Sequence, residues 1–327
     1  MTEQQRVAVT GAGGFLGSVL VRQLLADGVN VLAVSRRNLP PELGVTALTA
    51  DIRDSARLAA AFKGIDAIFH LAAHVHDLSS HDDSAQQQAI TLGGTRAVLE
   101  AAERSGVRQV ILASSLAVFG EVGCDLVNEE HPCRPTTPYG RAKLESEEAL
   151  HRFTQRTGAT GAAIRPAMMY GVPCPGNLPR MIRAVRSGWF PPIPEFGNRR
   201  SMVSVEDAAT AFRLAWFVGA MGGRPYIVTD GHGYSTRHLY DLICRALGRE
   251  TSALAIPRFV FWVAARMGDL GGRLRGQRLP FDSRALERLA GSAWFDSSRA
   301  QGELGFRPTA SLPDLMPALV ESVVRKA

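Results

Sequence analysis

A glycine-rich turn near the start of the chain constrains the fold more than any other feature. Gly11, Gly14 and Gly17 have the spacing GxxGxxG, directly after a β-type run and at the start of an apolar-faced helix. Glycines in such a turn let the backbone approach a pyrophosphate closely, and the positive N-terminus of the helix favours the phosphate charge. A simple packing turn is the alternative. The position between strand and helix favours a dinucleotide site, to which we assign Gly11, Gly14, Phe15 and Leu16.

Short β-type runs alternate with helical stretches over the first two thirds of the chain. This alternation predicts βαβ units, and therefore an α/β protein with a doubly wound parallel sheet. The predicted strands are residues 6–10, 30–35, 46–50, 67–71, 109–113, 161–165 and 226–228. The predicted helices are residues 15–27, 55–62, 85–105, 139–157 and 206–217.

A proline-rich stretch that follows Gly171 interrupts the regular alternation. It contains Pro173, Pro175, Pro179, Pro191, Pro192 and Pro194. We therefore predict a dinucleotide-binding domain of residues 1–172, to which residues 205–230 return. Residues 173–204 and 231–327 are predicted to form a smaller mixed α/β lobe that binds substrate and closes over the cleft.

Composition argues against several classes of protein. The 327 residues are 46% hydrophobic and 21% charged, which is typical of a globular enzyme rather than a disordered or fibrous chain. The net charge is +6, but the basic residues are scattered and lack interleaved aromatics, so a phosphorylated ligand or a solvated surface is favoured over nucleic acid. The first residues are polar and lead into a strand, and no apolar run is long enough to span a membrane. We therefore expect a cytoplasmic protein with no membrane partner.

Neither the cysteines nor the histidines have the spacing of a metal site. The four cysteines form no CxxC motif, so we expect reduced thiols and no structural zinc. His74, His76 and His81 have no carboxylate or cysteine at a ligand spacing, which favours a solvated loop at the rim of a cleft. No metal is predicted.

The residues that end the second predicted strand favour one dinucleotide over the other. An acidic side chain there would accept hydrogen bonds from the ribose 2′-hydroxyl of NAD, whereas this chain has Ser35-Arg36-Arg37. Donors of this kind suit a 2′-phosphate, so NADP(H) is favoured and NAD(H) remains the alternative. A pair of exposed loop arginines that bind nothing would give the same pattern.

Further cofactor contacts are predicted after the third and fourth strands. Asp51 and Ile52 follow the third strand, where the carboxylate can accept a hydrogen bond from the exocyclic amine of adenine. Leu71 ends the fourth strand, and the small residues Ala72 and Ala73 that follow it let the backbone run close to the cofactor.

The run Tyr139-Gly-Arg-Ala-Lys143 supplies an acid/base group on the same chain as the nucleotide site. A tyrosine with a pKa of about 10 carries protons poorly at neutral pH unless a nearby cation stabilises its phenolate. Residues i and i+4 lie on one helical face, so the Lys143 ammonium can share a cleft with the Tyr139 phenol. Ser114 and Ser115 end the fifth strand, and the Ser115 hydroxyl can complete a site that moves a proton on or off an alcohol. Turn or capping hydroxyls are the alternative.

Taken in order, these motifs resemble the extended short-chain dehydrogenase/reductase family, in its NAD-dependent epimerase/dehydratase group. They are TGxxGxxG, Asp51, Leu-Ala-Ala, Ser115-Leu-Ala-Val-Phe-Gly120, Tyr139-x-x-x-Lys143 and Arg165-Pro166-x-x-x-Tyr170-Gly171. The resemblance implies a Rossmann-like fold, a catalytic set of Ser115, Tyr139 and Lys143, and cofactor contacts at Thr91 and Pro166. It implies that Tyr139 exchanges a proton with the reacting oxygen while Lys143 holds the nicotinamide ribose and lowers the pKa of the tyrosine. Thr91 stands where the family usually has Asn.

The same resemblance implies the substrate residues. Residues 176–178 resemble the segment with which sugar-nucleotide members hold the diphosphate and sugar, and residues 196–207 resemble their uridine-and-diphosphate stretch. The implied substrate residues are Ser115, Asn177, Leu178, Phe196, Arg200 and Arg288. Pairing of Arg200 with Glu206 or Asp207 is the alternative for that guanidinium.

The tail of the chain resembles that of bacterial enzymes acting at C4 of UDP-N-acetylhexosamine derivatives. Together with the arginines after the second strand, it implies an NADP(H)-dependent oxidoreductase acting at C4 of a UDP-sugar, which reduces a UDP-4-keto-6-deoxy-N-acetylhexosamine. The alternatives are a UDP-glucose or UDP-N-acetylglucosamine 4-epimerase with tightly bound NAD, and a non-catalytic NADP-binding protein. Helices 85–105 and 139–157 resemble those that pair in dimeric relatives, so we expect a homodimer. The apolar segment 256–267 is expected to pack on the small lobe rather than on a membrane surface.

Overall fold

A parallel sheet forms the centre of the protein, whose computed structural model describes residues 5–39, 45–74, 83–173, 176–251, 256–276, 279 and 281–325. The strands are β1 (Arg6–Thr10), β2 (Asn30–Ser35), β3 (Thr46–Thr49), β4 (Ala67–His70), β5 (Gln109–Ala113), β6 (Thr160–Pro166), β7 (Met168–Tyr170), β8 (Arg200–Ser204), β9 (Arg224–Val228) and β10 (Gly233–Tyr234). Within the described residues, seven of them form one parallel sheet in the order β3-β2-β1-β4-β5-β6-β9. The order reverses between β1 and β4, and ligands of such sheets bind at this point, beyond the carboxyl ends of the strands.

Helices cover both faces of the sheet. They are α1 (Phe15–Ala26), α2 (Ser55–Ala61), α3 (Asp83–Gln86), α4 (Gly93–Ser105), α5 (Pro138–Thr157), α6 (Leu178–Arg186), α7 (Val205–Phe217), α8 (Thr236–Ala246), α9 (Arg258–Arg275), α10 (Ser283–Ala290), α11 (Ser298–Glu303) and α12 (Leu312–Val324). Successive strand residues point to opposite faces. Val7 and Val9 therefore pack in one core with α1 and α7, while Ala8 packs in a second core with α2, α4 and α5.

A third core lies apart from the large sheet. It joins Tyr170 at the end of β7 to apolar side chains of α6, α8 and α12, such as Ile182, Ile243 and Met316. Beside it, β7 pairs with β8 in parallel, and β8 pairs with β10 in antiparallel orientation.

The predicted doubly wound, Rossmann-like sheet is confirmed, and its seven predicted strands are all present. Two details differ from the sequence prediction. The predicted helix 85–105 consists of α3, a π-helical stretch Gln87–Leu92 and α4, which one continuous apolar pattern does not distinguish. Strands β7, β8 and β10 were not predicted, because runs of two to five residues show too little alternation to identify them.

Candidate active site

A cleft of about 460 Å³ lies at the carboxyl ends of the central strands. It is lined by most of the residues predicted to bind the cofactor: Gly11, Gly14, Phe15, Leu16, Ser35, Arg36, Arg37, Ile52, Leu71, Ala72, Ala73, Tyr139, Lys143 and Pro166. Ser114, which sequence analysis placed at the end of the fifth strand, also lines it, and so do Gly13, Ile90 and Met169, which sequence reasoning missed. A larger groove of about 970 Å³ lies at the opposite, amino-terminal edge of the sheet, near Arg6 and Gln109. Open parallel sheets do not place ligands at that edge, so we assign the site to the smaller cleft.

The glycine-rich turn fits the phosphates of a dinucleotide. Gly11 has φ +73°, and its N–H donates to the carbonyl oxygen of Val34 at 2.9 Å. A Cβ atom at Gly11 would lie 2.8 Å from the backbone nitrogen of Ala72, so two backbone segments approach each other at the floor of the cleft. Gly14 precedes α1 without a side-chain cap, which leaves the first N–H groups of the helix to a ligand.

The β2 end and the β3 end differ in what they offer the cleft. Arg36 and Arg37 are exposed, and the Arg37 N–H donates to Ser35 Oγ at 3.2 Å. Asp51 is absent from the lining, because its carboxylate faces Arg53, with Nη2 and Oδ2 2.6 Å apart. This contact lowers the pKa of Asp51 to about 2. The predicted adenine contact of Asp51 therefore has a competitor within the chain.

Thr91 is also absent from the lining, but it supports the segment that follows β4. Its hydroxyl accepts a hydrogen bond from the His74 N–H at 3.1 Å and donates to Gln87 Oε1 at 3.1 Å. A threonine can therefore hold the backbone at the position where the family usually has Asn. Of the loop histidines, His74 is described, whereas His76 and His81 lie outside the described residues.

A buried histidine, which sequence reasoning did not single out, braces the same segment. Thr10 Oγ1 accepts from the Ala72 N–H and lies 2.7 Å from His70 Nδ1, while His70 Nε2 lies 3.1 Å from Thr95 Oγ1. Because Thr95 gives its hydroxyl proton to the Thr91 carbonyl oxygen, it must accept from Nε2–H, which assigns the neutral tautomer of His70. Burial lowers the pKa of His70 to about 3, so the ring stays neutral.

Two capped turns bring the predicted acid/base pair together. Ser115 Oγ accepts from the Ala117 N–H at 3.2 Å at the start of a short 3₁₀ turn, and Thr137 Oγ1 caps α5 by accepting from the Gly140 N–H at 3.0 Å. A Cβ atom at Gly140 would overlap the Ala117 carbonyl oxygen, so α5 packs directly on the 3₁₀ turn. As a result the Ser115 hydroxyl lies near the Tyr139 phenol and acts to lower the pKa of that phenol.

Burial and neighbouring groups act on the protonation of this pair. Burial raises the pKa of the Tyr139 phenol, and the Ser115 hydroxyl opposes the shift. The Lys143 ammonium donates to the Ala113 carbonyl oxygen at 2.6 Å and lies 5.8 Å from the centroid of the Tyr139 ring. That Lys143 lowers the pKa of Tyr139 stays a prediction. Burial lowers the pKa of Lys143 itself to about 8, so the ammonium still predominates at neutral pH.

A buried ion pair lies one helical turn below Lys143. Glu147 accepts from Arg165 Nε at 2.8 Å and from Arg165 Nη2 at 2.5 Å, and it also accepts from the Ser114 hydroxyl. The spacing of Tyr139, Lys143 and Glu147, four residues each, places them on one face of α5. That spacing is the sequence signal that could have identified Glu147.

The predicted substrate residues do not line the cleft. Asn177 is exposed before α6, and the side chain of Leu178 is buried in the third core. Phe196 packs at the edge of that core, with its ring 5.9 Å from the ring of Phe261. The Arg288 side chain lies outside the described part of the chain.

Arg200 begins β8, and burial lowers the pKa of its guanidinium. The two acids that sequence analysis offered as its alternative partners are engaged elsewhere. Glu206 pairs with Arg22 at 3.2 Å, and Asp207 accepts from the N–H and the hydroxyl of Thr309 at 3.0 and 2.7 Å. The alternative that Arg200 forms an ion pair with Glu206 or Asp207 is therefore not supported.

One cleft is lined both by the phosphate cradle and by the Tyr139 phenol with its lysine, so fold and site define the class of dinucleotide-dependent oxidoreductases. The model of the NAD dependent epimerase/dehydratase family matches residues 7–224. The chain belongs to this family, which confirms the resemblance and the expectation of an NAD(P)-dependent enzyme.

Relatives with full-length similarity carry more than one activity in their names. UDP-glucose 4-epimerase of Vibrio cholerae is 28% identical, over 94% of this chain and 92% of its own. Sterol demethylase protein B of Methylococcus capsulatus is 33% identical, over 93% and 94%. Among solved structures, the UDP-glucose 4-epimerase of Thermus thermophilus in complex with NAD is 25% identical, with a TM-score of 0.76 and 99% and 100% of the two chains covered.

Two further features of the described residues bear on the expected partners. Among these residues no helix is long and apolar enough to cross a membrane. They also contain no group of three or more histidine, cysteine or acidic side chains that could hold a metal ion.

Proposed function

We propose that the protein is an NADP(H)-dependent oxidoreductase that acts at C4 of a UDP-sugar and reduces a UDP-4-keto-6-deoxy-N-acetylhexosamine. The observation that carries the chemical part is the position of Tyr139 and Lys143 in one cleft, where the Lys143 ammonium lies 5.8 Å from the centroid of the Tyr139 ring and the Ser115 hydroxyl acts on the same phenol. A phenol held this way is a proton donor for an oxygen that develops negative charge.

The contacts of the three side chains support a proposed role for each of them. Ser115 Oγ accepts from the Ala117 N–H, so its own proton is free for the phenol oxygen, and the phenol proton is then free for the reacting oxygen. The dinucleotide, when bound, supplies the hydride. Tyr139 protonates O4 of the sugar as the carbonyl becomes an alcohol, and Ser115 stabilises the phenolate that remains. The Lys143 ammonium, which donates to the Ala113 carbonyl oxygen, would donate to the nicotinamide ribose when the dinucleotide is bound.

The preference for NADP(H) rests on Arg36 and Arg37. Both guanidinium groups are exposed at the cleft, and Ser35 adds a hydroxyl beside them. With no acidic side chain in this stretch, nothing at the β2 end repels a 2′-phosphate or selects the 2′-hydroxyl. NAD(H) remains the competing cofactor, because the family is described as NAD-dependent.

The substrate assignment rests on the lobe of residues 173–204 and 231–327. We propose that Arg200, with Arg288, Asn177, Leu178 and Phe196, holds the nucleotide diphosphate and the sugar after the two parts of the chain close together. A guanidinium withdrawn from water, as in Arg200, interacts more strongly with a pyrophosphate than an exposed one does.

A UDP-hexose 4-epimerase is the second candidate, favoured by relatives such as the Vibrio cholerae enzyme. It would use the same Ser115, Tyr139 and Lys143 and would retain its dinucleotide through the cycle. We also propose a homodimer paired through α4 and α5, which light scattering at micromolar concentration tests. The cytoplasmic location stays a prediction.

The test begins with the dinucleotide released from denatured protein and a titration of the emptied protein with NADPH and NADH. A reductase should bind NADPH in preference to NADH. It should oxidise NADPH, measured as a loss of NADPH absorbance, only when the UDP-4-keto sugar is added. Stoichiometric NAD, with interconversion of UDP-glucose and UDP-galactose in the absence of added cofactor, would replace the proposal by the epimerase.

A pair of tyrosine variants separates catalysis from binding. Tyr139→Phe should reduce turnover by about 10²-fold or more and leave NADPH affinity nearly unchanged. Tyr240→Phe alters a buried phenol in the third core and serves as the matched control, with normal turnover. Normal turnover in Tyr139→Phe would mean that the phenol is not the proton donor.

A further inference from the structure

Helix α9 has one face that already has packing partners inside the protein. Phe261 and Ala265 are buried on this inner face, and the Phe261 ring lies 5.9 Å from the ring of Phe196 and 6.1 Å from the ring of Phe281. A Cβ atom at Gly268 would overlap the Phe281 carbonyl oxygen, so the helix lies directly on the segment before α10. The expectation that this segment packs on the protein is therefore met by the inner face.

The opposite face of α9 is apolar and exposed. Four large apolar side chains on it are 49–68% exposed: Phe259 at 67%, Val263 at 49%, Met267 at 68% and Leu270 at 59%. Their spacing of four, four and three residues places them in one strip along the helix. A helix packed on a water-soluble protein normally turns such a strip inwards, so this outer strip is a candidate contact surface.

Positive charge and an indole border the outer strip. Trp262, Arg266 and Arg273 follow one another along its edge at spacings of four and seven residues, and all three are exposed. The Arg266 guanidinium lies 4.5 Å from the centroid of the Trp262 ring. This combination of an apolar strip, an interfacial indole and arginines is typical of helices that lie in the headgroup region of a bilayer.

One acidic side chain of α9 lies near this positive charge. Asp269, the one acid in the helix sequence, accepts hydrogen bonds from the Ser283 N–H at 3.1 Å and the Ser283 hydroxyl at 2.5 Å. On the adjoining α10, Asp282 is held as the helix cap by the Ala285 N–H at 2.8 Å. The Asp269 carboxylate also interacts electrostatically with Arg266 and Arg273. The helix sequence holds four arginines and Asp269 as its one acid, so its net charge stays complementary to an anionic surface.

We propose that the outer strip of α9 docks the protein on a bilayer that contains anionic phospholipids. The helix would lie in the plane of the surface, with the strip in the acyl boundary and Arg266 and Arg273 at the phosphates. This inference replaces the expectation of no membrane contact. It does not depend on the proposed reaction, since the same surface would serve any substrate.

Vesicle co-sedimentation with the full chain tests the proposal. The protein should bind vesicles of phosphatidylcholine with phosphatidylglycerol, bind phosphatidylcholine alone much more weakly, and dissociate at high salt. Arg273→Gln should weaken binding to the anionic vesicles by about fivefold, and Arg266→Gln should do the same. Absence of binding to the anionic vesicles would overturn the proposal.

A pair of methionine variants tests the apolar strip. Met267→Gln should weaken binding to the anionic vesicles severalfold, whereas Met221→Gln changes a methionine that is 70% exposed after α7 and should bind normally. Both side chains are exposed, so thermal melts followed by circular dichroism should match the original protein. If instead Met267→Gln abolishes a dimer seen by light scattering and vesicle binding is unaffected, the strip binds a second copy of the chain and the proposal fails.

Discussion

Glu147→Gln keeps the shape of the side chain and removes the charge that faces Arg165. The two groups make a bidentate contact, and their side chains are only 9% and 4% exposed. Leaving one buried charge without its partner costs about 3–5 kcal/mol. Because the total stability of a folded domain is about 5–15 kcal/mol, we expect a large fall in the free energy of unfolding.

The same substitution acts on the lysine one turn away. Glu147 raises the pKa of Lys143, against the burial that lowers it to about 8. Without that carboxylate the pKa of Lys143 falls further, so its ammonium form is lost at a lower pH. If turnover needs the ammonium, the alkaline limb of the pH–rate profile moves to lower pH.

Denaturant unfolding followed by circular dichroism measures the first effect, and turnover across pH measures the second. Glu148→Gln is the matched control, because Glu148 is 55% exposed and its contact with Arg152 is 3.7 Å long. Such a surface pair contributes about 1 kcal/mol or less. The reasoning is wrong if the two variants unfold within about 1 kcal/mol of each other and share one alkaline limb.

Three further predictions concern the cradle, the buried histidine and the phenol. Gly11→Ala should weaken dinucleotide binding far more than Gly106→Ala in titrations, because both have φ +73° but only a Cβ atom at Gly11 meets backbone. Below a pH of about 6.5 the unfolded chain protonates His70, whereas the folded chain does not until a pH of about 3. The free energy of unfolding should therefore fall by about 1.4 kcal/mol per pH unit between these values. His70→Gln, unfolded in denaturant at two pH values, should lack this component. Ser115→Ala removes the hydroxyl that acts to lower the pKa of Tyr139, so ultraviolet titration should show the phenol ionising at a higher pH.

The cofactor side of the site was largely predictable from the sequence, because it depends on local order along the chain. A strand, a glycine turn and a helix must follow one another, and the parallel strands then bring Gly11, Ser35 and Leu71 to one edge. Two kinds of interaction were not predictable. His70 contacts two threonines that are 60 and 25 residues away in sequence. Asp51 pairs with Arg53, which is close in sequence, but side-chain geometry rather than spacing decides that contact.

The substrate side could be inferred only by resemblance, and the structure explains why. Arg200 lies in a short strand and Phe196 in a loop. In such segments neither hydrophobic periodicity nor a capping motif indicates which residues lie next to these side chains. The outer strip of α9 illustrates the same limit, because the apolar pattern predicted a packed helix and could not reveal which face turns outwards. Burial is a property of the folded chain, so a pattern alone does not assign it.

Helix α5 makes the chemistry of this protein depend on its core. Its successive turns carry Tyr139 and Lys143 at the cleft and then Glu147, which anchors the helix to Arg165 of β6 and to Ser114 after β5. The position of the phenol is therefore set by buried polar contacts between a helix and two strands. None of these contacts involves residues 173–204 or 231–327, the predicted substrate lobe, so we expect that lobe to vary without moving the proton donor. On this proposal, relatives named for a sugar-nucleotide epimerase and for a sterol demethylase protein would share one fold and differ in the part of the chain that selects the substrate.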